Sequence, residues 1–292
     1  MDFNTQRCEY HQQALSLACG VQARQYLLSR GISDKTIEEF KLGWCPTDWV
    51  GHQIWCRRVI FPLIDAYGKV IGFSGRLLTH KCTDEQGTQY IVENETNRII
   101  KATYVNGYKQ QHDLIQYHDS FMKQYFLFGM HQAKKNILEK NYAIVVEGQS
   151  DCLSMHSAGF TNTVATMGSS LTLFHLISLC RYCDFIIFIF DADDGGRKAL
   201  KLAVERSIIS YGFINLPDQS DPNDFILTYG PEAMSKLIEE VMSSKQRGFL
   251  EAKTEYTKIV TNALNNSSKS VVNEIEHELS VSGKYEDDFF DE

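Results

Sequence analysis

Proline is scarce in this chain, 5 in 292 residues, and no wholly apolar run is longer than the six residues from Phe185 to Phe190. A membrane-crossing helix needs roughly 20 apolar residues, so that run reads as a buried strand and no membrane partner is expected. The opening MDFNTQRCEYHQQ lacks both the basic start and the apolar stretch of a secretory signal. A cytoplasmic location is the expectation, with the 8 cysteines kept as thiols. No G-x-x-x-x-G-K-[ST] segment occurs, which excludes a P-loop motor in this sequence. Cys8-x-x-His11 and Cys180-x-x-Cys183 are the only pairs at metal-like spacing, and neither has a second pair at finger distance. Zinc is therefore not expected, and Cys180 and Cys183 are read as facing the core from a helix.

What is present suffices for one large domain or two smaller ones, with 43% hydrophobic and 23% charged residues. The net charge of −8 is unevenly spread. Residues 1–120 hold 13 basic and 13 acidic side chains and residues 121–220 hold 9 and 9, whereas residues 221–292 hold 7 and 15. The acidity thus belongs to the last part of the chain and is no argument against a polyanion meeting the rest. Within residues 57–109 the balance is mildly basic, 8 against 5.

Residues 12–43 read as two short helices meeting at Gly31, with Ser33 as N-cap of the second, Ile32 and Ile37 as its hydrophobic staple and Gly43 as its stop. From Arg57 to Leu78 the period changes, and two β-rich runs flank Asp65-Ala66-Tyr67-Gly68 as a hairpin. Residues 80–110 are polar with little pattern and are expected to form irregular strands and loops; a helix is expected around Lys123 to Leu138. From Tyr142 onward the short runs YAIVVEG, TNTVATMG, FIIFIFD and FINLP alternate with helical stretches. Strands apolar on both faces and alternating with helices predict a mostly parallel sheet covered on both sides. Residues 231–280 read as helices beginning with Pro231 at the first helical position, and KYEDDFFDE as an exposed acidic tail.

In an open parallel sheet, ligands bind beyond the carboxyl ends of the strands. Acidic residues collect there: Glu147-Gly148 after the first run, Asp191-Ala192-Asp193 after the third, and Asp221-Pro222-Asn223-Asp224 after the fourth. Asp191 and Asp193 are two apart, so extended backbone points both to one side. Two unpaired carboxylates about 4 Å apart repel by roughly 4 kcal/mol at an effective dielectric of 20. Gathering several requires a cation or a raised pKa. Oxygen donors without histidine or cysteine favour Mg²⁺ or Mn²⁺, and Gly148, Gly195 and Gly196 leave room for a phosphate or a close turn.

With E-G-x-x-D, D-x-D-x-x-G and D-P-x-D in this order, residues 142–224 resemble a TOPRIM domain, the metal-binding fold shared by DnaG-type primases, topoisomerases and some nucleases. Upstream, R-V-I-F-P-L-I-D-x-x-G-K-V-I-G-F-S-G-R (Arg58 to Arg76) resembles the first part of the RNA polymerase core of DnaG-type primases. So does Y-L-x-x-R-G-I-S-x-x-T-I-x-x-F-x-L-G (Tyr26 to Gly43), and Phe121 to Gly129 resembles that family's F-x-K-x-x-x-L-Y-G. The likeness is colinear over roughly residues 15–240. It implies an α+β N-terminal primase subdomain over residues 1–140 and an α/β TOPRIM domain over 141–230, a mostly parallel sheet with helices on both faces. A short C-terminal helical region over 231–280 and an acidic, disordered tail over 281–292 complete the expected division.

The activity implied is that of a DNA primase, which synthesises short RNA primers from NTPs on a single-stranded DNA template with two or more Mg²⁺ or Mn²⁺ ions. Glu147, Asp191 and Asp193 match the family's catalytic carboxylates; Asp221 and Asp224 would join them as metal ligands, and Glu147 is the acid/base candidate. Arg58, Arg76, Lys101, Tyr104, Asn106, Lys123 and Asp151 would meet nucleotide or template. Two departures stand out. Thr103 replaces the lysine of the family's K-Y-L-N motif, with Lys101 two residues earlier, and Asn223 replaces the second aspartate of D-P-D, with Asp224 next to it. The likeness starts too near Met1 to leave space for the family's zinc-binding domain, so a separate zinc-binding or single-strand-binding protein is an expected partner beside a replicative helicase. This compact form inclines the reading toward a phage or mobile element. A TOPRIM nuclease and a non-catalytic replisome subunit are the alternatives.

Overall fold

The computed structural model describes residues 3–46, 55–83, 89–93, 99–102, 114–117, 123–168, 171–192, 194–207, 209–217 and 220–243. Helix α1 (Phe3–Ser16) leads into α2 (Val21–Ser29) and α3 (Asp34–Glu39). The side chain of Ser33 accepts from the Thr36 N–H as the expected N-cap, and both staple residues, Ile32 and Ile37, are buried. The helical region starts earlier than expected, at Phe3 rather than residue 12, because Cys8, His11, Ala14 and Leu15 bury one face of α1. Gly43 is not the stop of α3. The chain leaves that helix at Lys41, which has φ +54, while a Cβ on Gly43 would lie 2.6 Å from the Cβ of His11. The glycine is there so that α1 can approach.

Strands β1 (Gly43–Cys45), β2 (Arg58–Ile64), β3 (Val70–Leu77) and β7 (Leu114–Tyr117) form an antiparallel sheet in the order β1-β2-β3-β7. The hairpin closes where expected, with the Gly68 N–H donating to the Asp65 carbonyl at φ +95. The segment expected to be irregular contains a second antiparallel sheet: β4 (Thr79–Thr83), β5 (Gln89–Glu93) and β6 (Ile99–Ala102). Strand alternation divides the β2–β3 hairpin between two cores. Val59, Phe61 and Leu63 face one, whereas Ile60, Ile64, Val70 and Phe73 join Cys8, Cys45, Trp55 and Cys56 beneath α1.

The later part is a parallel sheet in the order β11-β10-β8-β9, built from β8 (Ala143–Val146), β9 (Thr163–Ala165), β10 (Phe185–Phe188) and β11 (Ser210–Phe213). It alternates with α4 (Met130–Lys140), α5 (Gln149–Ser157), α6 (Leu173–Cys180), α7 (Asp194–Arg206) and α8 (Pro222–Tyr229), and a further helix runs over residues 231–243. Strands β8, β9 and β10 are buried on both faces, as the apolar runs predicted, whereas the edge strand β11 is partly exposed. Ile144 and Val146 of β8 and Ile187 of β10 share a core with Leu27, Ile32, Val59 and Phe61 of the N-terminal part. Val145, Ile186 and Phe188 pack instead with Ala133, Ile137, Leu176 and Ala203 of the helices. One continuous core therefore joins the antiparallel and parallel sheets.

Three local expectations shift. The helix expected from Lys123 begins only at Met130, because Phe128 forms a β-bridge with Ala165 and Gly129, at φ +82, turns the chain; Lys123–Tyr125 is a 3₁₀ turn. The last strand is Ser210–Phe213 rather than FINLP, since its register pairs Ile186 with Tyr211. Cys180 is exposed at the end of α6 and Cys183 is buried beyond it, so the two do not face the core from one helix. Among the described residues no helix is long and apolar enough to cross a membrane.

Candidate active site

The first acidic loop follows directly from β8. After Val146 the chain passes through Glu147 and Gly148 and enters α5 at Gln149. Asp151 reaches back from the first turn of α5, and its Oδ2 accepts from the Gly148 N–H at 3.2 Å. A Cβ on Gly148 would lie 2.5 Å from that oxygen, so E-G-x-x-D is a loop-closing device: glycine admits the carboxylate, and the carboxylate caps the helix. Asp151 is buried, and burial pushes its carboxyl well above the usual range, with Asp221 and Asp191 adding to the effect and Arg30 and the Asn223 N–H opposing it. Asp151 was expected to meet nucleotide or template, and the structure buries its side chain. It is an internal residue that shapes the Glu147 loop.

The second loop leaves β10, the parallel neighbour of β8, so Glu147 and Asp191 emerge side by side at the carboxyl ends of adjacent strands. The Asp191 N–H donates to Glu147 Oε1 at 3.2 Å, and the Ala192 N–H donates to the Ser220 carbonyl at 3.1 Å. Three loops are thereby stitched together by main-chain donors. A Cβ on Gly196 would overlap the Asp191 carbonyl, so the first turn of α7 lies directly against this loop and tolerates only glycine there. Asp193 lies outside the described residues.

The third loop ends in Asp221, the N-cap of α8, whose Oδ1 accepts from the Asp224 N–H at 2.6 Å. Arg30, at the end of α2, sits across from it, 3.7 Å from Asp221 and 3.5 Å from Asp224. Asn223 is fully buried and its Nδ2 donates to the Arg30 carbonyl at 2.6 Å. A carboxylate could not make that bond, so asparagine here is a structural donor rather than a weakened ligand. Asp224 was expected to restore the lost charge at a metal; it lies 3.5 Å from Arg30. Arg30 is the residue sequence reasoning missed, although it lies in the quoted Y-L-x-x-R-G segment.

Asp191 and Asp221 thus lie near the buried Asp151, Glu147 is held to the Asp191 main chain, and Arg30 is the facing cation. Among the described residues no three His, Cys, Asp or Glu side chains converge as a closed ligand set. The donor chemistry nonetheless fits a hard divalent cation: it is all oxygen, and several carboxylates share one guanidinium.

The expected basic residues do not all come together. The register pairs Arg58 with Leu77 and Val59 with Arg76, so strand alternation puts Arg58 and Arg76 on opposite faces of the hairpin. Arg58 lies on the α1 side, where a Cβ on Gly75 would meet its Cδ at 3.1 Å and the Trp55 ring at 3.0 Å. Arg76 shares its face with Ser74, toward the Glu147 loop. Lys123 opens a turn held by the Thr172 hydroxyl, which donates to the Gln124 carbonyl at 2.7 Å, and Lys101 lies on β6. The side chains of Lys101 and Lys123, and all of Tyr104 and Asn106, lie outside the described residues.

Two family models match the chain. A Toprim-like domain covers residues 144–226, and the N-terminal domain of the DNA primase catalytic core covers residues 10–54 and 51–112. A DNA primase of Aquifex aeolicus is 29% identical over 284 residues, which is 85% of this chain and 51% of that protein; the chain spans about half of that relative's length. The crystal structure of the zinc-binding and RNA polymerase domains of the Aquifex aeolicus primase matches with a TM-score of 0.64 and 27% identity, covering 86% of this chain and 65% of that one. The DnaG primase catalytic domain bound to single-stranded DNA matches with a TM-score of 0.63 and 25% identity, covering 81% of this chain and 79% of that one.

Proposed function

Because the chain belongs to the DnaG-type primases, with the N-terminal part of their catalytic core joined to a Toprim-like domain, we propose that it synthesises short RNA primers from NTPs on single-stranded DNA. The observation that carries this reading is the joining of the glutamate and aspartate loops at adjacent strand ends by the Asp191 N–H to Glu147 bond. A Toprim-like domain implies dependence on divalent metal. Two or more Mg²⁺ or Mn²⁺ ions are assigned to Glu147, Asp191, Asp193, Asp221 and Asp224, without zinc. Bound there, the metal would lower the pKa of the attacking 3′-hydroxyl and neutralise charge on the α-phosphate and departing pyrophosphate.

The chain's own groups orient the rest. Glu147 is the acid/base candidate, with its Oε1 oriented by the Asp191 main chain. Asp151 and Gly148 set the bend that presents Glu147, and Asp221 stabilises the start of α8 while facing the same junction. The Arg76 fork suits a phosphate of template or nucleotide, and Lys101, Tyr104, Asn106 and Lys123 are assigned to the same strand. Single-stranded DNA bound to a related catalytic domain supports that template class. A replicative helicase and a separate zinc-binding or single-strand-binding protein are the proposed partners, in the cytoplasm.

The test uses purified chain, mixed-sequence single-stranded DNA, labelled ATP and GTP, and Mg²⁺ or Mn²⁺. Short template-dependent RNA, lost in Asp191→Ala, is the expected result. Degradation of the DNA, abolished by Glu147→Ala, would overturn the reading in favour of a nuclease.

A further inference from the structure

Ser74 and Gln149 are 75 residues apart, both buried, and bonded across the junction of the two sheets: the Ser74 Oγ–H donates to Gln149 Oε1 at 2.8 Å. Each occupies a telling place. Ser74 lies on β3 two residues before Arg76 and on the same face, whereas Gln149 is the first residue of α5, two after Glu147. The bond therefore links the strand that carries Arg76 to the loop that carries Glu147.

Stability does not explain the pair. Gln149 Nε2 is buried and has no hydrogen-bond partner among the described residues. Leaving a buried amide donor unpaired costs at least as much as one neutral hydrogen bond contributes, and replacing both partners with apolar groups of similar shape is close to neutral. An alanine at 74 and a methionine at 149 would fill the same space without the orphaned donor. By this balance the polar contact contributes little net stabilisation, and it lies where the arginine strand meets the glutamate loop.

We propose that Ser74 and Gln149 are positioning residues, which fix the separation between the Arg76 guanidinium and the Glu147 carboxylate so that a nucleotide or template phosphate held by the first is aligned with the reaction at the second. The inference rests on the primase reading above. It concerns placement alone: the pair touches no reacting atom, and its loss alters how well Arg76 and Glu147 work together.

The experiment compares the full chain with Ser74→Ala, Gln149→Met, the double variant, Ser74→Thr, and Arg76→Ala alone and combined with Ser74→Ala. Thermal unfolding, primer synthesis and metal-dependent binding of a labelled ribonucleoside triphosphate are measured for each. Expected is a double variant at least as heat-stable as the parent chain, yet with KM for the nucleotide raised about tenfold and nucleotide binding weakened to match. Ser74→Thr, which keeps the hydroxyl, restores the parent KM. Arg76→Ala has less effect when Ser74 is already alanine, because the two act through one alignment. Unchanged KM and binding in the double variant, or full additivity of Arg76→Ala with Ser74→Ala, overturns the proposal while the parent chain still makes primers. A parent chain that makes no primers but binds the nucleotide removes the primase reading, and the proposal falls with it.

Discussion

Acid should destabilise this protein through two buried histidines. His156 lies on α5, buried, with its Nε2–H donating to the Thr163 carbonyl at 2.8 Å and its ring centroid 4.8 Å from that of Phe40 in a T-shaped arrangement. His11 lies on α1, buried, with Nδ1 3.2 Å from the Trp44 carbonyl. Burial depresses each to about 4, and neighbouring positive charges, Lys140 for His156 and Arg7 for His11, push the same way. An unfolded histidine titrates near 6.5, so between about 6.5 and 4 the unfolded chain binds more protons than the folded one. Their stabilising contribution is fully present above pH 6.5 and is lost as the pH falls toward 4. The linkage relation gives a loss of about 2 kcal/mol per histidine between pH 7.5 and 5. Against a total stability of about 5–15 kcal/mol, the two together are a large fraction. Asp151 opposes them, because its raised carboxyl favours the folded state at low pH. Urea unfolding at pH 7.5, 6 and 5 measures the effect, with His156→Gln as a partner that keeps a donor and does not titrate. The variant should lose about 2 kcal/mol less than the parent over that interval. Equal losses in the two, or an NMR titration of the His156 ring near 6.5 in the folded protein, would refute the reasoning.

Two other expectations follow from close approach and from strand parity. Gly196→Ala drives a methyl group into the Asp191 carbonyl and should lower metal-dependent synthesis roughly a hundredfold, the scale of a 1 Å misplacement at a reacting centre; far-ultraviolet circular dichroism should show the fold retained. Arg76→Ala should weaken binding of single-stranded DNA and reduce its salt dependence by about one unit of slope. Arg58→Ala should leave that slope unchanged and lower Tm by about 2–4 °C, since its stem packs at Gly75 and Trp55.

How much of this was legible follows from the kind of signal each feature uses. The parallel sheet was readable because Ala143 to Val146 and Phe185 to Phe188 are short runs apolar at every position that alternate with helical stretches, as strands covered on both faces do. The Glu147 and Asp191 loops were readable because their charges sit where such strands end. Helix α1 was partly hidden, because its buried face is made by Cys8 and His11 as well as Ala14 and Leu15, and a histidine does not register as core. The parity of Arg58 and Arg76 was hidden for another reason: a motif records spacing along the chain, whereas the face a strand residue occupies depends on register across the turn. Asn223 is the sharpest case. Residue type alone makes asparagine for aspartate a lost metal charge. The group beside it is the Arg30 carbonyl, an acceptor that asparagine satisfies and aspartate would repel. What the substitution means is decided by a main-chain atom 193 residues away, and such an atom has no signature in composition, periodicity or spacing.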